Sequence, residues 1–173
     1  MVWRQARFVR LRIFALISAL LLDNRLSGRL RAALLRLNGA SVGRTCFIRG
    51  NLQLPEGFDL SLGNDVFINT GCCLDCAAPI SIGNRVELGY QVTLITGDHH
   101  VGPHEKRCGP AQPRSIIIED GAWIGARSVI LPGVRIGAGA VVSVGSLVAR
   151  DVAPDTLVAG VPARQLKHLD VEY

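Results

Sequence analysis

From Ile118 onward the chain places an aliphatic residue at every sixth position: Ile124, Ile130, Ile136, Val142 and Val148. A second row in the same frame starts at Ala122 and runs through Ser128, Val134, Ala140, Ser146 and Val152, all small or β-branched. Glycine follows the aliphatic residue at Gly125 and Gly137. A helix repeats near 3.6 residues and a plain strand at 2, so neither produces a six-residue period. Hexads of this form belong to parallel β-helices, in which each hexad is one short strand plus a corner. The aliphatic residue points into a prism-shaped core and the small one fills the narrow space beside it. The rows extend upstream. Val42-Gly43 opens a run through Ile48, Leu54 and Leu60. The frame then slips by two at Leu62-Gly63, giving Ile68, Leu74 and Ile80, and slips again at Ile82-Gly83, giving Leu88 and Leu94. Each slip predicts an enlarged corner in a coil of roughly 18 residues, three hexads long.

The pattern breaks in two places. Before residue 39, Arg4, Arg7 and Arg10 lead into the largely apolar run Ile13–Leu22, and Arg25 follows soon after. No small-x-small cleavage site follows the run, so a signal peptide is a poor reading. The run is also shorter than the ~20 residues needed to span a bilayer. Two short helices, broken near Asn24 and ended by Asn38-Gly39, suit it better. They are expected to pack against the prism or a neighbouring subunit. The competing reading is an amphipathic contact with a membrane surface through residues 1–36, helped by arginines near anionic lipid. The second break, TGDHHVGPHEKRCGPAQPRS from Thr96 to Ser115, holds three of the four histidines. A long structureless excursion from a regular scaffold is often functional, so chemistry is sought there. After Asp151, Pro154, Gly160 and Pro162 are expected to end the coil. The chain thus divides into a basic helical segment (1–38), a β-helix domain (39–168) with a protruding loop (96–115), and a tail (169–173).

Composition sharpens this. With 173 residues, 49% hydrophobic but only 5% aromatic, and 19 glycines, small and aliphatic side chains must do the packing of one domain. The net charge of +5 is uneven: residues 1–36 carry eight arginines against Asp23 alone, leaving 11 basic and 13 acidic groups in the body. That body has no basic stripe with interleaved aromatics, so no nucleic-acid partner is expected. Five cysteines form an odd set without framework spacing, which points to a reducing, cytosolic compartment. Cys72 falls on the small inward row, whereas Cys73 and Cys76 lie off both inward rows. The lone C-x-x-C has no second pair to complete a four-thiolate site.

FINTGCCLD (67–75), TLITGDHH (93–100), AWIGARSVILPGVRIG (122–137), VGSLVARD (144–151) and AGVPAR (159–164) together resemble the hexapeptide-repeat acyltransferases. Within them the likeness is to the galactoside/maltose O-acetyltransferase and capsule-sugar acetyltransferase group, over residues 40 to 168. The resemblance implies a left-handed parallel β-helix, a homotrimer, and acetyl-CoA as co-substrate in the groove between two prisms. It places the catalytic base on His99, with His100 as the alternative; His104 is left without a role. Histidine, with an ordinary pKa near 6.5, suits removal of a proton from an attacking hydroxyl. Acceptor contacts fall on Asn69 and Asp75. Donor contacts fall on Trp123, Ala126, Val144, Ala149 and Arg150, with Arg164 and Lys167 toward the CoA phosphates. The backbone N–H of Ala126 would face the thioester carbonyl. No metal is expected: carbonic anhydrases of the γ class share the fold and bind zinc, but adjacent His99-His100 converge poorly on one tetrahedral ion. The expected activity is transfer of acetyl to a hydroxyl of a sugar, either a small molecule or a lipid-linked polysaccharide precursor. The site would lie in the cytoplasm or peripherally at the inner face of the membrane. The alternatives are acetylation of an amino group, a zinc hydratase, and a non-catalytic β-helix scaffold.

Overall fold

The six-residue rows form the inner wall of a three-sided prism. The computed structural model describes residues 12–18 and 20–170; Arg4, Arg7, Arg10 and the end of the tail lie outside the described residues. One face stacks β1 (Ser41–Val42), β3 (Leu60–Leu62), β6 (Ile80–Ile82), β11 (Ile116–Ile118) and β14 (Arg135–Ile136). The second stacks β2 (Phe47–Ile48), β4 (Phe67–Ile68), β7 (Glu87–Leu88), β12 (Trp123–Ile124), β15 (Val141–Val142) and β17 (Thr156–Gly160). The third stacks β5 (Cys73–Leu74), β8 (Thr93–Leu94), β13 (Val129–Ile130) and β16 (Leu147–Val148). All these pairs are parallel, and on the second face the register aligns Phe47, Phe67, Glu87, Trp123, Val141 and Leu157. The architecture is a left-handed parallel β-helix.

Its core is the predicted one. Ile118, Ile124, Ile130, Ile136, Val142 and Val148 are buried, and so is the small row from Ala122 to Val152. The coils lie so close that a Cβ on Gly125 would sit 2.6 Å from the Val144 nitrogen, which explains glycine after the aliphatic residue. At another corner the backbone N–H of Asn64 donates to Asn84 Oδ1, and that of Asn84 to Asp120 Oδ1. Bonds from the Asn84 side chain and backbone, with Arg85 nearby, hold the Asp120 carboxyl below its ordinary range.

Two expectations change. Cys76 is buried, not off the inner wall. It sits in the enlarged corner after β5 with φ +56°, two residues after Leu74, whereas the regular hexads place their left-handed residue three after the aliphatic one, as at Asp65, Arg85 and Arg127. The coil also runs on past Pro154: β17 pairs parallel with β15, and β18 (Ala163–His168) folds back antiparallel on β17.

The N-terminal segment is helical at α1 (12–18) and α2 (Arg25–Leu37). Asn24 starts α2 through a capping box: Ser27 N donates to Asn24 Oδ1 and Asn24 N to Ser27 Oγ, each at 3.0 Å. Asn38 ends it, its side chain donating to Leu34 O, and Gly39 follows at φ +100°. The inner side packs on the prism through Phe14, edge-on to Phe58 at 5.7 Å, and through Arg31. Arg31 is fully buried yet well satisfied: its guanidinium donates to the carbonyls of Leu21 (2.7 Å), Ser18 (3.2 Å) and Ile48 (3.4 Å) and pairs with Asp23 at 3.4 Å. Among the described residues no helix is long and apolar enough to cross a membrane.

Candidate active site

A groove of about 570 Å³ runs along the second face of the prism. Period-2 alternation within each short strand puts Phe67, Glu87, Trp123, Val141 and Leu157 on the outside, and these build its floor. Asn69, Ala126 and Val144 line it at the corners. Of the expected donor residues, Trp123, Ala126 and Val144 therefore share one groove with Asn69. Trp123 is 56% exposed, a large aromatic kept at the surface rather than in the core. Ala149, Arg150 and Arg164 instead line a second hollow of about 370 Å³ between the last coil and the β17–β18 hairpin. Lys167 sits on β18 and lines neither. Asn69 Oδ1 accepts from the backbone N–H of Thr70 at 2.9 Å, which orients the amide and leaves its N–H donors for a ligand.

The excursion between β8 and β11 is ordered, contrary to the structureless loop that its composition suggests. His99–Val101 (β9) pairs antiparallel with Cys108–Ala111 (β10), forming a two-stranded ribbon. Its root is clamped by Asp75, whose Oδ2 accepts from Gly97 N (2.6 Å), Thr96 N (3.1 Å) and Thr96 Oγ1 (3.3 Å). The buried Thr96 hydroxyl in turn accepts from Ala78 N at 3.1 Å. Asp75 thus anchors the ribbon, with Oδ1 left over. One step further out, Asp98 accepts from the His99 backbone N–H and from the Arg114 guanidinium, each at 2.8 Å. Those two donors, in that order, hold its carboxyl below the usual carboxylate range.

His99 Nδ1 lies 2.8 Å from the carbonyl oxygen of Gly109 across the ribbon. A carbonyl only accepts, so Nδ1 carries the proton and Nε2 of the neutral ring keeps its lone pair. That contact leaves Nε2 as the ring's acceptor nitrogen. His99 is not among the residues lining the groove. His100 and His104 are exposed; His104 faces only Glu105, at 3.9 Å. The cysteines form no disulfide. Burial pushes the Cys72 thiol up to about 11, and burial raises Cys46 and Cys73 as well. None of these three is a ready thiolate nucleophile. Among the described residues no three His, Cys, Asp or Glu side chains gather as metal ligands.

Residues 115–150 match the bacterial transferase hexapeptide family, described as six repeats. Nodulation protein L of Rhizobium meliloti is 38% identical over 130 residues, 75% of this chain and 71% of that protein. The chain belongs to the hexapeptide transferases. Galactoside O-acetyltransferase of Lactococcus lactis is 35% identical over 127 residues, which make up 73% of this chain and 61% of that protein. The chain thus spans about three fifths of the length of that relative. A hexapeptide-repeat acetyltransferase from Vibrio cholerae, solved with acetyl-CoA, superposes with a TM-score of 0.86 at 32% identity, covering 96% of this chain and 89% of that one.

Several residues that line the groove or hold the ribbon of this hexapeptide transferase carry no mark in the sequence rows. Glu87 and Tyr90 line the groove, yet they stand at outward positions that the inward rows do not mark. Gly109 bonds His99 from ten residues away. Asp23 reaches Thr70 Oγ1 at 3.4 Å, beside Asn69, from the N-terminal layer. One signal was available: Asp98 and Arg114 stand just inside the two ends of the hexad gap with opposite charges, as a loop tied at its base requires.

Proposed function

We propose that this protein transfers acetyl from acetyl-CoA to a hydroxyl of a sugar, with His99 as general base. The observation that carries the reading is the bond between His99 Nδ1 and the Gly109 carbonyl, which fixes the tautomer whose Nε2 takes a proton. Nε2 removes the acceptor's hydroxyl proton as the oxygen attacks the thioester carbonyl, and the CoA thiolate leaves. The carbonyl oxygen gains negative charge in that step, and the backbone N–H of Ala126 stabilises it. Asn69 and the free oxygen of Asp75 orient the acceptor. Trp123 and Val144 flank the pantetheine arm; Ala149, Arg150, Arg164 and Lys167 hold the nucleotide end, where cations suit phosphates. The acetyl-CoA complex of the Vibrio relative supports this donor, and the name of the Lactococcus relative supports a sugar acceptor. Because His99 is not in its own protomer's groove, we infer a homotrimer in which one copy's ribbon reaches over another's groove. The acceptor is a polysaccharide or glycolipid precursor on the cytoplasmic side.

Steady-state kinetics with acetyl-CoA and a panel of sugars test this. His99→Ala lowers kcat by roughly 10²–10⁴ while acetyl-CoA binding persists, and His100→Ala retains activity. Full activity in His99→Ala, or its loss only in His100→Ala, overturns the assignment.

A further inference from the structure

The N-terminal layer is apolar on the side that does not touch the prism. On α2 the buried face is Ser27, Gly28, Arg31, Ala32 and Leu35. The opposite face carries Leu26, Leu30, Ala33 and Leu37, one helical stripe with Leu26 at 70% and Leu37 at 79% exposure. The stretch before it repeats the arrangement: Phe14 and Ser18 turn inward while Ile13, Leu16, Ile17 and Leu20 turn outward, Leu20 at 76% exposure. Among the described residues, eight of the fourteen exposed large hydrophobics fall between positions 13 and 37. Single surface leucines are ordinary, but two successive helices with the same outward stripe are an interaction surface.

Charge selects the occupant. Exposed Arg12 and Arg29 accompany the stripes, Arg36 turns its guanidinium to the carbonyls of Val42 and Gly43, and Arg4, Arg7 and Arg10 precede them in sequence. Asp23 is the sole acid before Glu56, and Arg31 and Arg49 both pair with it. An apolar stripe edged with guanidinium groups and free of carboxylates complements anionic headgroups over acyl chains. A second copy of the same surface would set like charges against each other, and the body of the chain carries only a slight acidic excess. Among the described residues no helix is long and apolar enough to cross a bilayer, and the two stripes suit a helix pair that lies in its interface.

The layer also abuts the acceptor end of the groove. A Cβ on Gly28 would collide with the Phe47 ring, and Phe47 stacks at 5.7 Å on Phe67, which lines the groove beside Asn69. We propose that residues 12–37 seat this protein on an anionic phospholipid surface and so bring the acceptor end of the groove to lipid-linked sugars. The first half of this stands on the surface alone; the second rests on the acetyltransferase reading above.

The test is cosedimentation of the full chain with phosphatidylglycerol/phosphatidylcholine vesicles and with phosphatidylcholine vesicles alone. Binding to the anionic vesicles that falls at least about tenfold in high salt, with little binding to the neutral ones, is the expected result. The variant Leu16→Gln/Leu20→Gln/Leu26→Gln should lose at least about tenfold in binding with its melting curve, mass and activity on a soluble sugar unchanged. Arg29→Glu gives an independent reading that removes no leucine and should weaken binding to anionic vesicles alone. Equal binding of all variants, or none by the wild type, overturns the proposal. So does a wild-type oligomer that dissociates in the leucine variant, which would make the face an interface between copies. A wild type that binds vesicles but acetylates no sugar leaves the membrane assignment standing and removes the acetyltransferase one.

Discussion

The prism and the helical layer before it solve the same problem in opposite ways. In the prism, Ile124, Ile130, Ile136 and Val142 fill the interior, the buried hydroxyls of Ser128 and Ser146 donate to the Ser143 carbonyl, and the charged groups look out. In the layer, the buried centre is Arg31, surrounded by carbonyls and Asp23, while leucines look out. Both obey one rule: buried polar groups must be hydrogen-bonded, and apolar area is buried where something covers it. The contrast shows that a hydrophobic period identifies an element without saying which of its sides meets the molecule's own core. It also assigns different sources of stability, aliphatic burial in one region and a polar clasp in the other.

The strongest way to break that contrast is a charge in the prism. Ile130→Asp removes a buried aliphatic worth about 1.5–3 kcal/mol and adds the several kcal/mol of an unpaired buried carboxylate. Against a typical total of about 5–15 kcal/mol, this leaves no folded, soluble protein, whereas Ile130→Val costs about 0.5–1.5 kcal/mol. Solubility and far-ultraviolet circular dichroism read both, and a soluble Ile130→Asp with full β signal would remove that row from the core. Next in size is the clasp. Arg31→Leu keeps the bulk but orphans the carbonyls of Ser18, Leu21 and Ile48, at a cost of about 3–5 kcal/mol. Urea melts at fixed protein concentration measure it. An unchanged midpoint would mean that the layer is held by its apolar contacts, as the prism is.

What was legible follows the same line. The rows from Ile118 to Val148 could be read because every hexad reuses one local geometry. Cys76 could not, since the left-handed residue of its corner comes one position earlier than in the regular hexads. His99 stood out by residue type, yet the Asp75 clamp on Gly97 spans 22 residues and a full coil, which only the stacking of coils creates. The ribbon was hidden because a short His-His-Val strand opposite Cys-Gly-Pro-Ala carries no alternating pattern. The helix boundaries at Asn24 and Asn38 were readable from capping chemistry. Which stripe of α2 faces inward was not, because both sides carry leucine and the buried one is centred on an arginine, a residue seldom found fully buried.

The smallest effect separates the clasp from the helices it joins. Asn24→Ala removes the acceptor for Ser27 N and undoes half of the capping box, a change worth about 1 kcal/mol. In a chain of this length that lowers the melting temperature by about 2–4 °C. Asn24→Ser, which keeps a capping oxygen, should restore most of it. The cost stays small because the cap is exposed and acts on a single turn, whereas Arg31 ties α1, the break and β2 together. If Asn24→Ala instead cost as much as Arg31→Leu, the two helices would hang on the geometry of their break. The buried guanidinium would then be a passenger in the layer, and the division between an aliphatic prism and a polar-clasped cover would fail.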